Sequence, residues 1–191
     1  MSRFEDALYF AAEVHQGMHR KGSINPFILH PMEAAAIASS MTVDEDVLIA
    51  ALLHDAIEDA GASAEQIRSR FGSRVTTLVL ADTEPFDPVH SAADSWMDRK
   101  VALLEHLKDG ASREEKIVIL ADRLSNLRSI HSDMVAMGEE TWAIFHEQKD
   151  PSVQGWFYGE VADLLSEFAG VPAYEEFRAL VKSVFGAYHA E

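Results

Sequence analysis

The sequence predicts an all-α bundle, and three observations predict it. Apolar residues recur at three- and four-residue spacing along most of the chain. Ser or Thr repeatedly stands three residues before Glu or Gln at the start of such segments, the spacing of a helix capping box. No stretch alternates apolar and polar residues long enough to make a useful strand. With no internal repeat and no low-complexity linker, the 191 residues are expected to form a single domain, 1–191.

Ser2 and Glu5 form the first capping pair. Phe4, Leu8, Ala12 and His15 then share one face, and Gly17 is placed to end the helix. A loop from Met18 to His30 carries His19-Arg20-Lys21 and Pro26, and Pro31 suits the first turn of a helix over about 31–41. Thr42 and Glu45 are a second capping pair, opening DEDVLIAALLHDAIEDA (44–60), which Gly61 closes. Its first half is apolar on nearly every side, so a central, buried helix is expected. Ser63 with Gln66 starts a short helix ending near Gly72, and another runs from Arg74 to Ala81. The stretch DTEPFDPVHSAAD (82–94) has two prolines and no apolar period, and reads as a loop. Helices are expected over Ser95–Lys108 and, capped by Ser112 and Glu115, over Arg113–Met137. Further helices are placed around 139–146, 155–168 and 172–187, with Trp142, Trp156, Phe157 and Tyr158 as core residues.

Composition narrows the function. A formal charge of −16 argues against a non-specific nucleic-acid binder, because phosphate backbones are held by clustered Lys and Arg. It does not exclude a small phosphorylated ligand, which needs only local positive charge. Arg20-Lys21 stands out against the acidic background. No apolar run is long enough to span a membrane, and the N-terminus lacks the basic start and apolar core of a signal peptide. There is no cysteine, hence no disulfide and no thiolate ligand or nucleophile. A cytoplasmic protein is expected, and the composition leaves a homo-oligomer open.

One group of residues points to chemistry. His54 and Asp55 follow immediately on VLIAALL, where a charged group costs several kcal/mol unless it is paired or coordinated. Glu58 lies four residues after His54 and Asp59 four after Asp55, so a continuous helix would place each pair on a shared face. His30 stands where a loop meets a helix, and Asp122 is planted in the apolar segment KIVILADRL. Two histidines and two aspartates make a mixed nitrogen and oxygen set, suited to Mn, Fe, Co or Zn more than to Ca. An octahedral ion so held keeps positions for water and substrate oxygens.

The order His30, His54-Asp55, Asp122 resembles the HD superfamily of metal-dependent phosphohydrolases. Longer phrases narrow the resemblance to its alarmone (ppGpp) hydrolase branch, the hydrolase domain of RelA/SpoT-type proteins. Arg20-Lys21 ahead of PFILHP resembles that branch's basic pair and PYIxHP phrase, LLHDAIED its LLHDxxED, and LADRLSNLR its LADRLxNLR. These phrases lie within about residues 5–130. The resemblance implies an all-α fold of the HD-domain type, with Mn²⁺ on His30, His54, Asp55 and Asp122. It implies that Glu58 and Asp59 handle the attacking water, and that Arg20, Lys21 and Asn126 contact the nucleotide. The implied reaction removes the 3′-pyrophosphate of guanosine tetra- or pentaphosphate, giving GDP or GTP and pyrophosphate.

Ile119 stands where that branch usually has lysine, Ala60 where it commonly has threonine, and the 82–94 loop matches poorly. These departures bear on substrate identity and leave the proposed metal ligands in place. Two alternatives stay open: an HD-type phosphohydrolase of another nucleotide, and a helical binding module without turnover. Most single histidines in helices are ordinary core or surface groups, and His15 is read as one of these.

Overall fold

Three helices start where a capping side chain was expected. The computed structural model describes residues 2–84 and 89–188, so part of the expected 82–94 loop lies outside the described residues. Its helices are α1 (Arg3–Val14), α2 (Leu29–Ser39), α3 (Glu45–Leu53), α4 (Ala64–Phe71), α5 (Ser73–Asp82), α6 (Trp96–Asp109), α7 (Arg113–Met137), α8 (Pro151–Leu164) and α9 (Pro172–Phe185). Complete capping boxes open α1, α4 and α7. Among the described residues no strand forms, only an isolated bridge between His19 and Pro26, and the all-α expectation holds.

Four local expectations are corrected. The helix expected over 44–60 stops at Leu53. The His54 Nδ1–H donates to the Ala51 carbonyl at 2.8 Å, occupying the acceptor that the Asp55 N–H would use in a continued helix. The chain proceeds through turns, with Ala56 N–H on Leu53 O and Asp59 N–H on Asp55 O, both at 3.0 Å. The N-cap of α3 is Asp44, whose side chain accepts from the Asp46 N–H, while Thr42 instead accepts from the Asp44 N–H. In the tail, Gly138–Ile144 forms a 3₁₀ helix, and the segment expected over 155–168 starts at Pro151 and breaks after Leu164 into a 3₁₀ turn at Ser166–Phe168.

The chain divides into two compact units, the first holding residues up to Glu84 with Ala111–Ser125, the second the segment up to Gly110 with Asn126 onward. In the first, α3 packs against α1, α2 and α5. Val47, Ile49, Ala50, Ala51, Leu52 and Leu53 are fully enclosed. Full burial of a large aliphatic side chain contributes about 1.5–3 kcal/mol, so this central helix anchors the unit. Arg74 clamps the start of α3, reaching Asp44 at 2.7 Å and Asp46 at 3.1 Å. The first half of α7 adds Ile117, Val118, Ile119, Leu120 and Ala121 to the buried set.

The second unit is built on α8, which packs against α6 and α9. Its core is aromatic: Tyr158 stacks on Phe185 at 5.3 Å, and Trp142 lies 5.7 Å from the same ring. Gly155 makes this approach feasible, because a Cβ there would meet the Phe185 Cβ at 3.0 Å. Trp142, Phe157 and Tyr158 are buried, as expected of core residues, and Trp156 is half-buried.

Candidate metal centre

Four side chains from three separated stretches converge in the first unit. His30 is in the first turn of α2, His54 and Asp55 follow α3, and Asp122 lies in α7. The Nε2 atoms of the two imidazoles face each other at 3.0 Å. Asp122 Oδ1 lies 3.0 Å from the His30 Nε2 and 3.3 Å from that of His54. Asp55 Oδ2 lies 3.3 Å and 3.1 Å from the same two atoms. Neighbouring donors around one first-row ion, with bonds of about 2.1 Å, stand about 3 Å apart. His30, His54 and Asp122 are buried, and their donor atoms lie within 4.8 Å of one another.

Hydrogen bonding behind the rings decides which nitrogen each can offer. The Ala51 carbonyl can only accept, so His54 carries a proton on Nδ1 and turns its Nε2 toward the centre. The Ser125 hydroxyl donates to Glu33 Oε2 at 2.7 Å, so it accepts from the His30 Nδ1–H at 2.8 Å. His30 therefore also turns its Nε2 toward the centre. Two imidazole nitrogens at 3.0 Å, flanked by two carboxylates, make a compact set of four donor groups. That donor set fits a divalent transition-metal ion. Burial opposes charge on His54, but Asp55 and Asp122 outweigh it and raise its pKa well above the ordinary value. Burial likewise opposes ionised Asp122, and the Arg123 guanidinium with His54 overcomes it, holding the carboxyl well below the usual range.

Arg123 bridges two buried carboxylates, with Nη1 2.6 Å from Asp122 Oδ2 and Nη2 3.1 Å from Asp82 Oδ1. Burial pushes Asp82 up to about 6, against the pull of Arg123. Glu58 and Asp59 do not extend a helix face from His54 and Asp55, since α3 has already ended; they occupy the following turn, with one side open to solvent. Glu58 Oε2 accepts from the backbone N–H of Glu84 at 2.9 Å. Crowding by protein atoms and the nearby Glu84 carboxylate push Glu58 up to about 7. The same crowding and the Asp55 charge push Asp59 up to about 6, with Lys21 pulling the other way.

That influence puts Lys21 within electrostatic reach of the site. Its loop folds back on itself, with Phe27 N–H on Met18 O at 2.9 Å and Arg20 N–H on Asn25 O at 3.0 Å. Gly22 supplies the left-handed residue of the turn, at φ 69°. The Arg20 guanidinium lies 5.9 Å over the Phe27 ring, whose centroid is in turn 5.9 Å from that of His30. Asn126, one turn beyond Asp122 on α7 and half-buried, belongs to the second unit. His15, read as an ordinary core or surface group, is buried against Phe27.

Reading the sequence missed Glu33, Ser125, Asp82 and the role of the Glu84 backbone. For two of these a signal was present: Glu33 follows His30 by three residues and Ser125 follows Asp122 by three, the helical spacing that keeps a partner near a ligand.

The HD domain family profile matches residues 7–147. The chain belongs to the HD domain family. It is 38% identical over 128 residues to the guanosine-3′,5′-bis(diphosphate) 3′-pyrophosphohydrolase MESH1 of Xenopus tropicalis, covering 65% of this chain and 68% of that relative. It is 29% identical over 164 residues to the GTP pyrophosphokinase of Myxococcus xanthus, covering 83% of this chain but 22% of the relative. With the guanosine-3′,5′-bis(diphosphate) 3′-pyrophosphohydrolase of Aquifex aeolicus (strain VF5) it shares 35% identity over 127 residues, 65% of this chain and 17% of that one. The chain thus spans about a fifth of these two longer relatives. Among solved structures it is similar to a metazoan ortholog of SpoT described as hydrolysing ppGpp and acting in starvation responses. The TM-score is 0.72 at 27% identity, over 99% of this chain and 97% of that one. It is also similar to lmo0812 from Listeria monocytogenes EGD-e, with TM-score 0.70 and 32% identity over 82% of this chain and 99% of the other. No helix among the described residues is long and apolar enough to cross a membrane.

Proposed function

We propose that this chain hydrolyses the 3′-pyrophosphate of guanosine tetra- or pentaphosphate to GDP or GTP and pyrophosphate, with Mn²⁺ held by His30, His54, Asp55 and Asp122. The observation that carries the reading is the convergence of these four donors next to the Glu58-Asp59 turn. The similarity to two relatives named as 3′-pyrophosphohydrolases of this nucleotide supports the substrate class.

When bound, the ion supplies Lewis acidity toward phosphoryl oxygens and water. The protein supplies the rest. A water adds to the phosphorus next to the ribose 3′ oxygen, the bond between them breaks, pyrophosphate departs, and the freed 3′ oxygen takes up a proton from solvent. Glu58, held by the Glu84 N–H and poised near neutrality, takes the proton of that water. Asp59 orients the water beside it. Arg20 and Lys21 offset the charge of the substrate phosphates, and Asn126 hydrogen-bonds the nucleotide. The same proposal takes 1–191 as one working domain in the cytoplasm, acting on a small nucleotide rather than a nucleic acid or a membrane; the family match running through both units supports the single domain.

The test is incubation of purified protein with Mn²⁺ and ppGpp, quantifying GDP and pyrophosphate beside Asp55→Ala. Release of both products by the wild type alone is expected. A wild type that binds the ion and leaves ppGpp intact, while cleaving another nucleotide of a purine and pyrimidine panel, would replace the substrate and keep the chemistry.

A further inference from the structure

Outside the four donors, the polar contact best defined in direction is the chain His30–Ser125–Glu33. All three groups belong to the first unit, and the chain joins α2 to α7 across 95 and 92 residues of sequence. Ser125 is 1% exposed and His30 3% exposed, so neither has bulk water as a substitute partner. The direction of each bond follows from chemistry alone: Glu33 accepts, Ser125 passes the bond on, and His30 donates through Nδ1 at 2.8 Å.

The placement is reciprocal. Glu33 stands one helical turn after the donor His30 on α2, and Ser125 one turn after the donor Asp122 on α7. Each helix therefore carries one donor and one member of the chain, and the chain ends on His30. The carboxylate end matters as much as the hydroxyl. A serine hydroxyl alone can rotate to donate to an imidazole, favouring the tautomer with its lone pair on Nδ1. Glu33 captures the hydroxyl proton and removes that option.

We propose that Glu33 and Ser125 are positioning residues of the metal centre: together they lock His30 in the Nδ1–H form and aim its Nε2 at the ion. The inference rests on the reading of His30 as a metal ligand. Partners of this kind, placed behind a ligating histidine, typically change metal affinity 10–100-fold.

The test measures Mn²⁺ affinity directly, from the electron paramagnetic resonance signal of free Mn²⁺, for wild type, Ser125→Ala and Glu33→Gln. It also records the ¹⁵N signals of the His30 ring in metal-free protein. Ser125→Ala is expected to weaken Mn²⁺ binding about 10–100-fold. Glu33→Gln, which keeps an acceptor oxygen but loses the charge, is expected to weaken it by a smaller factor. In both, the His30 ring should move from the Nδ1–H pattern toward a mixture of tautomers, which a merely structural role would not produce. Should Ser125→Ala fail to fold, Glu33→Gln at its half-buried position decides alone. Wild-type affinity in the folded variants, with an unchanged ring signature, would overturn the proposal, as would a wild type that binds no Mn²⁺. Loss of affinity in the variants supports it even where no nucleotide is cleaved, and cleavage of ppGpp with unaltered variant affinity overturns it while leaving the proposed reaction standing.

Discussion

The Nε2 atoms of His30 and His54 face each other at 3.0 Å, each with its ring proton committed to a partner on the far side. A divalent cation seated there would tie both rings and the two neighbouring carboxylates together. Adding Mn²⁺ should therefore raise the melting temperature. An ion at about a hundred times its dissociation constant adds about 2.7 kcal/mol, and each kcal/mol is worth roughly 2–4 °C in a chain of this size. His54→Ala should abolish the Mn²⁺-dependent shift, and chelation should reverse it in the wild type; differential scanning fluorimetry reads both.

Replacing Glu58 by Gln should lower kcat by about 10²–10⁴ and leave Mn²⁺ affinity nearly unaltered, as expected for a proton acceptor that is not a ligand. In the wild type, kcat/KM should climb as pH rises toward 7, because crowding and the Glu84 charge hold Glu58 protonated up to about 7. A flat profile between pH 5 and 8 would assign the proton to another group.

The same carboxyl sets a stability trend in the metal-free protein. Its folded pKa of about 7 stands above the ordinary 4.5, so its contribution to stability is complete below pH 4.5 and is lost as pH rises through 7. Glu58→Gln should flatten that part of the curve of melting temperature against pH, measured in the presence of chelator.

Arg123 serves two buried carboxylates at once, 2.6 Å from Asp122 and 3.1 Å from Asp82. Removing one member of a buried ion pair typically costs about 3–5 kcal/mol, because the remaining charge is left without compensation. Arg123→Ala should lose stability of that order in urea. Asp82→Asn should lose less, since burial already favours the neutral acid at that position.

Gly155→Ala separates helix propensity from packing. Alanine is preferred over glycine in a helix by about 1 kcal/mol. Here its Cβ would sit 3.0 Å from the Phe185 Cβ, and overpacking of that kind costs about 1–3 kcal/mol. Net destabilisation in denaturant titration is expected.

The fold was readable in the sequence wherever structure is set locally. Ser2/Glu5, Ser63/Gln66 and Ser112/Glu115 cap the helices they announced, because a capping box is closed by residues three apart. The expected helix over 44–60 fails for a reason outside that range of information. At His54 a side chain competes with the backbone for the Ala51 carbonyl, and His54 is held at the junction by side chains from α2 and α7. The four candidate donors were suggested by polar residues stranded in apolar surroundings and by family phrases. Ser125, Glu33 and Asp82 gave no such contrast; their meaning lies in contacts between segments dozens of residues apart.

The convergence of positions 30, 54, 55 and 122 carries a consequence for the life of the molecule. An ion seated there would act as a removable rivet through α2, the end of α3 and α7, closing long stretches of chain that the backbone alone leaves open. Proteolysis follows the population of opened molecules, so withdrawing the rivet would expose the chain to faster turnover. The supply of a trace metal would then govern how long each copy survives, as well as whether it works.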